Sequence, residues 1–262
     1  MKKVKIVFTD LDSTLTKDHG KIDIKNKTII DKLANIGIPV VLNTGRPLSY
    51  VIPICKRNGL SHYVITSNGA EIYNMANKKV IYQSIISHEN MLFLDDLVKK
   101  HKMLFMANGI NKRYTNKTDA LGLAFVSSLS EINDQISQVV VESLNIDDMV
   151  LLRKDLENST LKIVNKTKHV TENKLLYYDI VNNEVSKGEA IKILCNYLNI
   201  ELDRTMAIGD SNNDIDMFKV AGYKVAVSNG TIELKALADT ITLSNEEDGV
   251  AIVLNQLYSN LK

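Results

Sequence analysis

Asp10 and Asp12, in the segment Phe8-Thr9-Asp10-Leu11-Asp12-Ser13-Thr14-Leu15, are the residues of this chain best suited to chemistry. They end its first apolar run, Val4 with Ile6, Val7 and Phe8. In extended chain, alternate residues point to the same side, so both carboxylates are expected on one face. Two such neighbours repel each other unless a cation, a shared proton or solvent relieves them. An apolar strand that ends in acids fits an open parallel sheet, whose ligands bind outside the carboxyl ends of the strands. Asp is equally common as the cap of a turn, and the pair alone does not separate the two readings.

Three further segments place polar residues where a strand ends or a helix starts. After Val40-Val41-Leu42 comes Asn43-Thr44-Gly45-Arg46-Pro47, where a hydroxyl and backbone amides suit an anion. An N-cap Thr followed by Pro early in a helix would leave the same trace. Ser186-Lys187-Gly188-Glu189-Ala190 opens a helix with a lysine, although cations are better placed at helix ends. Against an acid cluster and a bound phosphate that ammonium would offset negative charge; otherwise it is an exposed lysine. Met206-Ala207-Ile208 then leads into Gly209-Asp210-Ser211-Asn212-Asn213-Asp214, a second apolar strand ending in carboxylate or an Asx-rich turn. If Asp10, Asp12 and Asp210 converge, they form an all-oxygen site suited to Mg²⁺.

The elements that must position these residues alternate. Apolar runs at Lys5 to Thr9, Pro39 to Thr44 and Tyr63 to Thr66 enclose helical patterns at Asn26 to Ile36 and Leu48 to Asn58. Gly37 and Gly59 fall where those helices should stop. The rhythm is that of an α/β protein with a doubly wound parallel sheet. It returns with a helix at Gly188 to Leu198, a strand at Thr205 to Ile208 and a helix at Asp214 to Ala221. Short strands at Val225 to Val227 and Thr240 to Leu243 and a helix at Asp248 to Leu261 complete it.

Between the halves the regularity is lost. Tyr73 to Tyr82 reads as a hairpin turning at Asn77-Lys78, and His88 to His101 as a helix with a stripe of Met91, Leu92, Leu94 and Leu97. Strands are expected at Met103 to Ala107, Leu161 to Val164 and Leu175 to Val181, and helices at Ser130 to Leu144 and Thr167 to Asn173. This mixed α+β stretch, residues 83–185, is expected to be a domain inserted into a core of residues 1–82 and 186–262. Hinges are expected near Gln83 to Ser87 and Asn182 to Ser186.

Composition narrows the class of function. With 262 residues, 45% of them hydrophobic, the chain can bury a sizeable core. A net charge of +1 with no long basic run gives no reason to expect a nucleic-acid partner. No charge-free run of about 18 apolar residues predicts a membrane span. The amino-terminal segment lacks the pattern of a signal peptide, so a cytoplasmic location is expected. Cys55 and Cys195 lie in apolar helical patterns with no Cys or His nearby, which predicts buried, reduced thiols rather than a metal site.

Together the motifs resemble the haloacid dehalogenase (HAD) superfamily, specifically its Cof-type phosphatases with a large type IIB cap. Four motifs occur in order: Asp10-Leu11-Asp12-Ser13-Thr14, Thr44-Gly45-Arg46, Lys187 in Ser186-Lys187-Gly188-Glu189-Ala190, and Gly209-Asp210 through Asn213-Asp214. Ser67-Asn68-Gly69-Ala70 also matches a segment common in the subgroup. Ser13 departs from the glycine usual in the family and is expected to alter rate more than reaction class.

The resemblance implies a Rossmann-like HAD core and an inserted cap that closes over the leaving group and selects it. It implies that Asp10 attacks phosphorus to give an aspartyl-phosphate, and that Asp12 serves as general acid and then base. Spacing alone does not rank Asp10 over Asp12 as the nucleophile. Mg²⁺ would be held by Asp10, the Asp12 carbonyl and Asp210, with Asp214 supporting or sharing the site. Thr44, Gly45, Lys187 and Asn213 would hold the phosphate, and Arg46 could face either the ligand or the surface. In the cap, Asn108, Lys112, Arg113 and Tyr114 are candidates for contact with the leaving group. The expected function is a Mg²⁺-dependent phosphomonoesterase for small phosphorylated metabolites, such as sugar phosphates or a phosphorylated cofactor. A phosphosugar mutase of the same fold and a non-catalytic phosphate-ligand sensor are the alternatives.

Overall fold

The computed structural model describes all residues except 1–3, 18–20, 61, 111, 167–174 and 262. The chain divides into two compact units, residues 1–82 with 186–262, and residues 83–185.

The first unit is built on strands β1 (Ile6–Thr9), β2 (Val40–Asn43), β3 (Tyr63–Thr66), β4 (Glu71–Asn74) and β5 (Lys79–Gln83), with helices α1 (Ile24–Asn35) and α2 (Leu48–Asn58) between the first three. In the order β14-β13-β12-β1-β2-β3-β4-β5 these strands join β12 (Thr205–Gly209), β13 (Tyr223–Val227) and β14 (Thr240–Thr242). The chain enters at β1 and winds outward through β2 and β3, then returns on the other side of β1 through β12. Winding therefore reverses between β1 and β12, the place where an open sheet leaves a crevice for a ligand. β1 pairs in parallel with both neighbours, Thr9 opposite Ile208 on one side and Leu42 on the other. β1 and β2 are buried throughout, as strands covered on both faces must be.

Alternation along β1 supplies both cores. Val7 packs with residues of α1, α2 and α8 (Gly249–Ser259), including Ile29, Leu33, Ile54 and Leu254. Ile6 and Phe8 pack on the opposite face with Ile191, Leu194, Met217 and Phe218, from α5 (Lys187–Leu198) and α6 (Ile215–Val220). Cys55 and Cys195 are buried free thiols, one in each core. Burial pushes their pKa values up to about 12 and about 11, which keeps them protonated. Gly59 adopts φ +66° to end α2, a conformation that costs glycine little.

The second unit holds a six-stranded sheet of order β10-β11-β9-β6-β7-β8: β6 (Leu104–Gly109), β7 (Arg113–Thr115), β8 (Ala124–Phe125), β9 (Ile136–Ser143), β10 (Leu161–Lys166) and β11 (Leu176–Asn182). All its pairings are antiparallel except β7 with β8. Helices α3 (His88–Lys100) and α4 (Ile146–Leu156) pack on it through Leu94, Leu97, Met149 and Leu152, against Phe105, Val139, Val141 and Ile180.

Two expectations fail here. The helix expected at Ser130 to Leu144 is the strand β9. Its Val139-Val140-Val141 run prefers a pleated surface, and burial of nearly every residue hides the alternation that marks a strand. The helix begins only after the strand, at Ile146, where the Asn145 side chain accepts a hydrogen bond from the Asp147 amide. In α3 the stripe consists of Met91, Leu94, Leu97 and Val98; Leu92 is exposed, one residue off the i, i+3, i+4 spacing. The helix expected at Thr167 to Asn173 lies outside the described residues. Among the described residues no helix is long and apolar enough to cross a membrane.

Candidate active site

β1 and β12 deliver the first two acids. Asp10 follows the last residue of β1, where its amide donates to the Ile208 carbonyl at 2.9 Å, and Asp210 follows the last residue of β12. Asp214 enters from the short turn of helix Asn212–Asp214, where Ser211 and Asp214 form a reciprocal capping box. A carboxylate oxygen from each of Asp10, Asp210 and Asp214 lies within 4.8 Å of the others, and all three residues are buried. Gly209 makes this approach possible, since a Cβ there would stand 2.7 Å from the Asp214 carboxylate.

Lys187 answers the cluster. Its Nζ donates to Asp10 Oδ1 at 2.6 Å and to Asp214 Oδ1 at 2.7 Å, with the side chain 1% exposed. Ser186 caps α5 by accepting from the Glu189 amide, so Lys187 stands on the first helical turn despite the unfavourable dipole. Asn43, at the end of β2, donates to the Lys187 carbonyl at 3.0 Å and ties the start of α5 to the sheet. Burial alone would lower the Lys187 pKa; the Asp10 and Asp214 charges outweigh it and hold the ammonium above its ordinary value. For Asp10, burial is the larger influence, and with the nearby Asp214 and Asp210 charges it raises the carboxyl well above its ordinary range against the pull of Lys187.

The three acids are not equivalent. Asp214 Oδ2 accepts from the amides of Asp210 and Ser211, both at 3.0 Å, while its Oδ1 accepts from Lys187. Its carboxylate thus braces the loop as well as adding charge. Asp210 Oδ1 accepts from the Thr14 hydroxyl at 3.0 Å, which ties the loop after β1 to the loop after β12. Three carboxyl groups face a single ammonium in a buried place. Hard oxygen donors of this kind fit a hard divalent cation.

Asp12 does not join this cluster, contrary to the expectation from spacing. The chain leaves the extended conformation after Thr9, so the alternation that would align the two carboxylates does not apply. Its side chain is 39% exposed and forms a two-pronged pair with Arg46: Nε to Oδ2 at 2.9 Å and Nη2 to Oδ1 at 3.1 Å. The guanidinium also lies over the Tyr50 ring, 4.7 Å from its centroid. Arg46, ambiguous in the sequence, is thereby assigned as the partner of Asp12.

Ser13 adopts φ +61°, a left-handed conformation in which glycine is unstrained. Its carbonyl accepts from the Asn229 side chain at 2.8 Å, which helps hold the turn. Thr44 is buried and its hydroxyl accepts from the Arg46 amide at 3.2 Å, so it shapes the loop before α2 and is not the helix cap, which is Pro47. Asn213 Oδ1 accepts from the Ser211 hydroxyl at 2.6 Å. The sequence offers no role for Thr14 or Asn68 beyond their place in the segments Asp10 to Thr14 and Ser67 to Ala70.

The sequence profile of the haloacid dehalogenase-like hydrolases matches residues 7–254. The chain is 31% identical over 253 residues to 5-amino-6-(5-phospho-D-ribitylamino)uracil phosphatase YcsE of Bacillus subtilis, covering 95% of this chain and 93% of that one. The solved structure of a haloacid dehalogenase-like hydrolase from B. subtilis superposes with a TM-score of 0.85 at 24% identity, covering 96% of this chain and 99% of that one. A HAD subclass IIB sugar phosphatase superposes with a TM-score of 0.79 at 22% identity, covering 97% and 98%. The chain belongs to the haloacid dehalogenase-like hydrolases, with the Cof-like IIB fold. Within that family it is a phosphatase.

Proposed function

We propose that the protein is a Mg²⁺-dependent phosphomonoesterase for small phosphorylated metabolites, working through an aspartyl-phosphate on Asp10. The observation that carries this reading is the buried cluster of Asp10, Asp210 and Asp214 around Lys187, at the carboxyl ends of the strands flanking the reversal. Asp10, Asp210 and, as support, Asp214 would hold Mg²⁺, with the Asp12 carbonyl as a further donor. The ion would neutralise the carboxylates and stabilise charge on the transferring phosphoryl oxygens.

An Asp10 oxygen attacks phosphorus, the bond from phosphorus to the ester oxygen breaks, and Asp12 gives its proton to the departing alkoxide. Asp12 then takes a proton from water, whose oxygen attacks phosphorus; inorganic phosphate leaves and the Asp10 carboxylate is restored. Lys187 holds Asp10 in place and shares the phosphate charge with Thr44, the Gly45 amide and Asn213. Arg46 keeps hold of one Asp12 oxygen while the other carries the proton.

Residues 83–185 act as the specificity domain. On the β-sheet face opposite α3 and α4, Asn108 Nδ2 donates to Gln138 Oε1 at 3.2 Å and Arg113 Nε donates to Asn108 Oδ1 at 3.0 Å. Among the described residues the buried Gln138 Nε2 has no hydrogen-bond partner, and such a donor suits a hydroxyl or carbonyl of a leaving group. Tyr114 instead donates to Asp134 at 3.2 Å. The YcsE phosphatase is named for an ester on a ribityl chain, which supports including sugar and polyol phosphates among the substrates tried.

The test is phosphate release from a panel of phosphorylated metabolites, with and without Mg²⁺, beside Asp10→Asn. Metal-dependent release that disappears in the variant is expected. Interconversion of phosphosugars without free phosphate would establish a mutase instead, and silence of the wild type on every compound would leave the sensor reading.

A further inference from the structure

Asn68 lies in none of the four motifs, yet three loops meet on it. Residues Ser67, Asn68 and Gly69 follow β3 in left-handed conformations, with φ of +51°, +58° and +102°. Such a run is strained for Ser and Asn and persists only where its surroundings dictate it. The surroundings here are specific. The Asn68 amide donates to the Thr44 carbonyl at 3.1 Å, and the Ser67 amide donates to the Arg46 carbonyl at 2.9 Å, pinning the loop between β2 and α2 from both ends. The Asn68 side chain lies against Gly45, where a Cβ would stand only 3.0 Å from its Oδ1. That same Oδ1 accepts from Asn213 Nδ2 at 3.1 Å. Gly69 has no room for a side chain, because a Cβ would meet the Ser186 carbonyl at 2.2 Å, so the turn is also locked to the start of α5.

The bond to Asn213 has a chemical consequence. A free Asn side chain can present either its carbonyl or its amide, and the network around it decides which. Asn213 Oδ1 is taken by the Ser211 hydroxyl and one hydrogen of Nδ2 by Asn68. With Asn68 held as it stands, half a turn of the Asn213 amide would place carbonyl against carbonyl. What Asn213 retains is its second N–H, a donor, and a donor is what a phosphate oxygen requires.

We propose that Asn68 is a positioning residue of the phosphate site, fixing Asn213 so that it offers N–H to the phosphoryl group while holding the Thr44 loop in register. This rests on the reading of the cluster as a phosphoryl-transfer site. Asn68 touches neither substrate nor metal; it acts through Asn213 and the Thr44 loop.

A double-mutant cycle tests it, because residues that act through one another are non-additive. Asn68→Gly removes the amide but tolerates the left-handed backbone, and is combined with Asn213→Ala. Binding of inorganic phosphate in the presence of Mg²⁺ is followed by calorimetry. Each single variant is expected to weaken phosphate binding on the order of tenfold, and the double variant no more than either. Mg²⁺ affinity without phosphate should change less than about twofold in Asn68→Gly, whereas a general collapse of the site would lower both. Phosphate affinity unchanged in Asn68→Gly, losses that multiply in the double variant, or a parallel loss of Mg²⁺ binding would overturn the assignment. If Asn68→Gly does not fold, Asn68→Ser enters the same cycle, since its hydroxyl is too short to replace the amide. A wild-type protein that binds no phosphate, with Mg²⁺ present, would refute the phosphoryl-site reading itself and this inference with it.

Discussion

Arg46 grips Asp12 with two parallel hydrogen bonds, at 2.9 and 3.1 Å, so the carboxyl proposed for proton transfer is oriented by a residue on the neighbouring strand's loop. The pair is partly exposed, and its Coulombic contribution to stability is small for that reason. Its value is geometric: a planar fork holds both carboxylate oxygens and stacks on Tyr50. Arg46→Ala is therefore expected to reduce kcat about 10- to 100-fold through misplacement of Asp12, with little change in thermal stability. Arg46→Lys should recover only part of the rate, because an ammonium cannot make both bonds in one plane. Steady-state kinetics on a substrate found in the panel checks both variants; wild-type kcat in Arg46→Ala would leave Asp12 without need of this partner.

Lys187 stands among buried acids, and its loss should be felt first as instability. Lys187→Met leaves the Asp10 and Asp214 carboxylates facing each other without their ammonium. Removal of one partner from a buried pair costs about 3–5 kcal/mol. Mg²⁺ should restore more of the unfolding temperature in the variant than in the wild type, since the ion then carries the whole task of neutralisation. Thermal unfolding with and without Mg²⁺ measures this; equal metal stabilisation in both proteins would speak against shared neutralisation.

Ser13 carries a strain that glycine would not. Its φ of +61° lies where an L side chain costs about 1–2 kcal/mol, partly recovered by the Asn229 bond to its carbonyl. Ser13→Gly is expected to raise stability by about 0.5–1 kcal/mol, the gain being reduced by the greater freedom of glycine in the unfolded chain. Denaturant unfolding reads the change, and a destabilised variant would show that the hydroxyl or its packing outweighs the strain.

Asp95 in α3 gives the inserted unit a dependence on pH. Burial raises its pKa, but the bonds from Lys99 and Ser128, at 2.7 and 2.6 Å, and from the Leu129 amide, at 2.8 Å, outweigh it and hold the carboxyl below its ordinary value. A depressed folded pKa means that the unfolded chain binds the proton more readily. The stabilisation is complete above the ordinary Asp value of about 3.9 and fades as pH falls through the lower folded value. Asp95→Ala should cost about 1–3 kcal/mol at pH 7, and its deficit against wild type should narrow below about pH 4. Urea unfolding across that range provides the comparison; a gap that stays constant in acid would assign the effect to packing instead of charge.

Much of the framework was readable from local pattern. Leu48 to Asn58 and Tyr63 to Thr66 coincide with α2 and β3, because apolar period and a following glycine or turn act within a few residues of chain. Strand β9 does not show in the local pattern because Val139 to Val141 is apolar at every step, and what makes it a strand is partners on both sides, β6 and β11. Such partners lie far along the sequence and leave no local periodicity.

The sequence by itself determined that acids would stand at the ends of Val4 to Phe8 and of Met206 to Ile208, and that Lys187 would open a helix. Those features depend on neighbours in the chain and on the preference of apolar runs for the interior. Only the tertiary structure decided which acids meet. Asp10 finds Lys187 across 177 residues and Thr14 finds Asp210 across 196, while Asp12, two residues from Asp10, turns to Arg46. Register between β1 and β12 and the turn that follows Thr9 set those distances. A buried carboxylate must find its counter-charge wherever the fold brings one within reach, and separation along the chain carries no record of that.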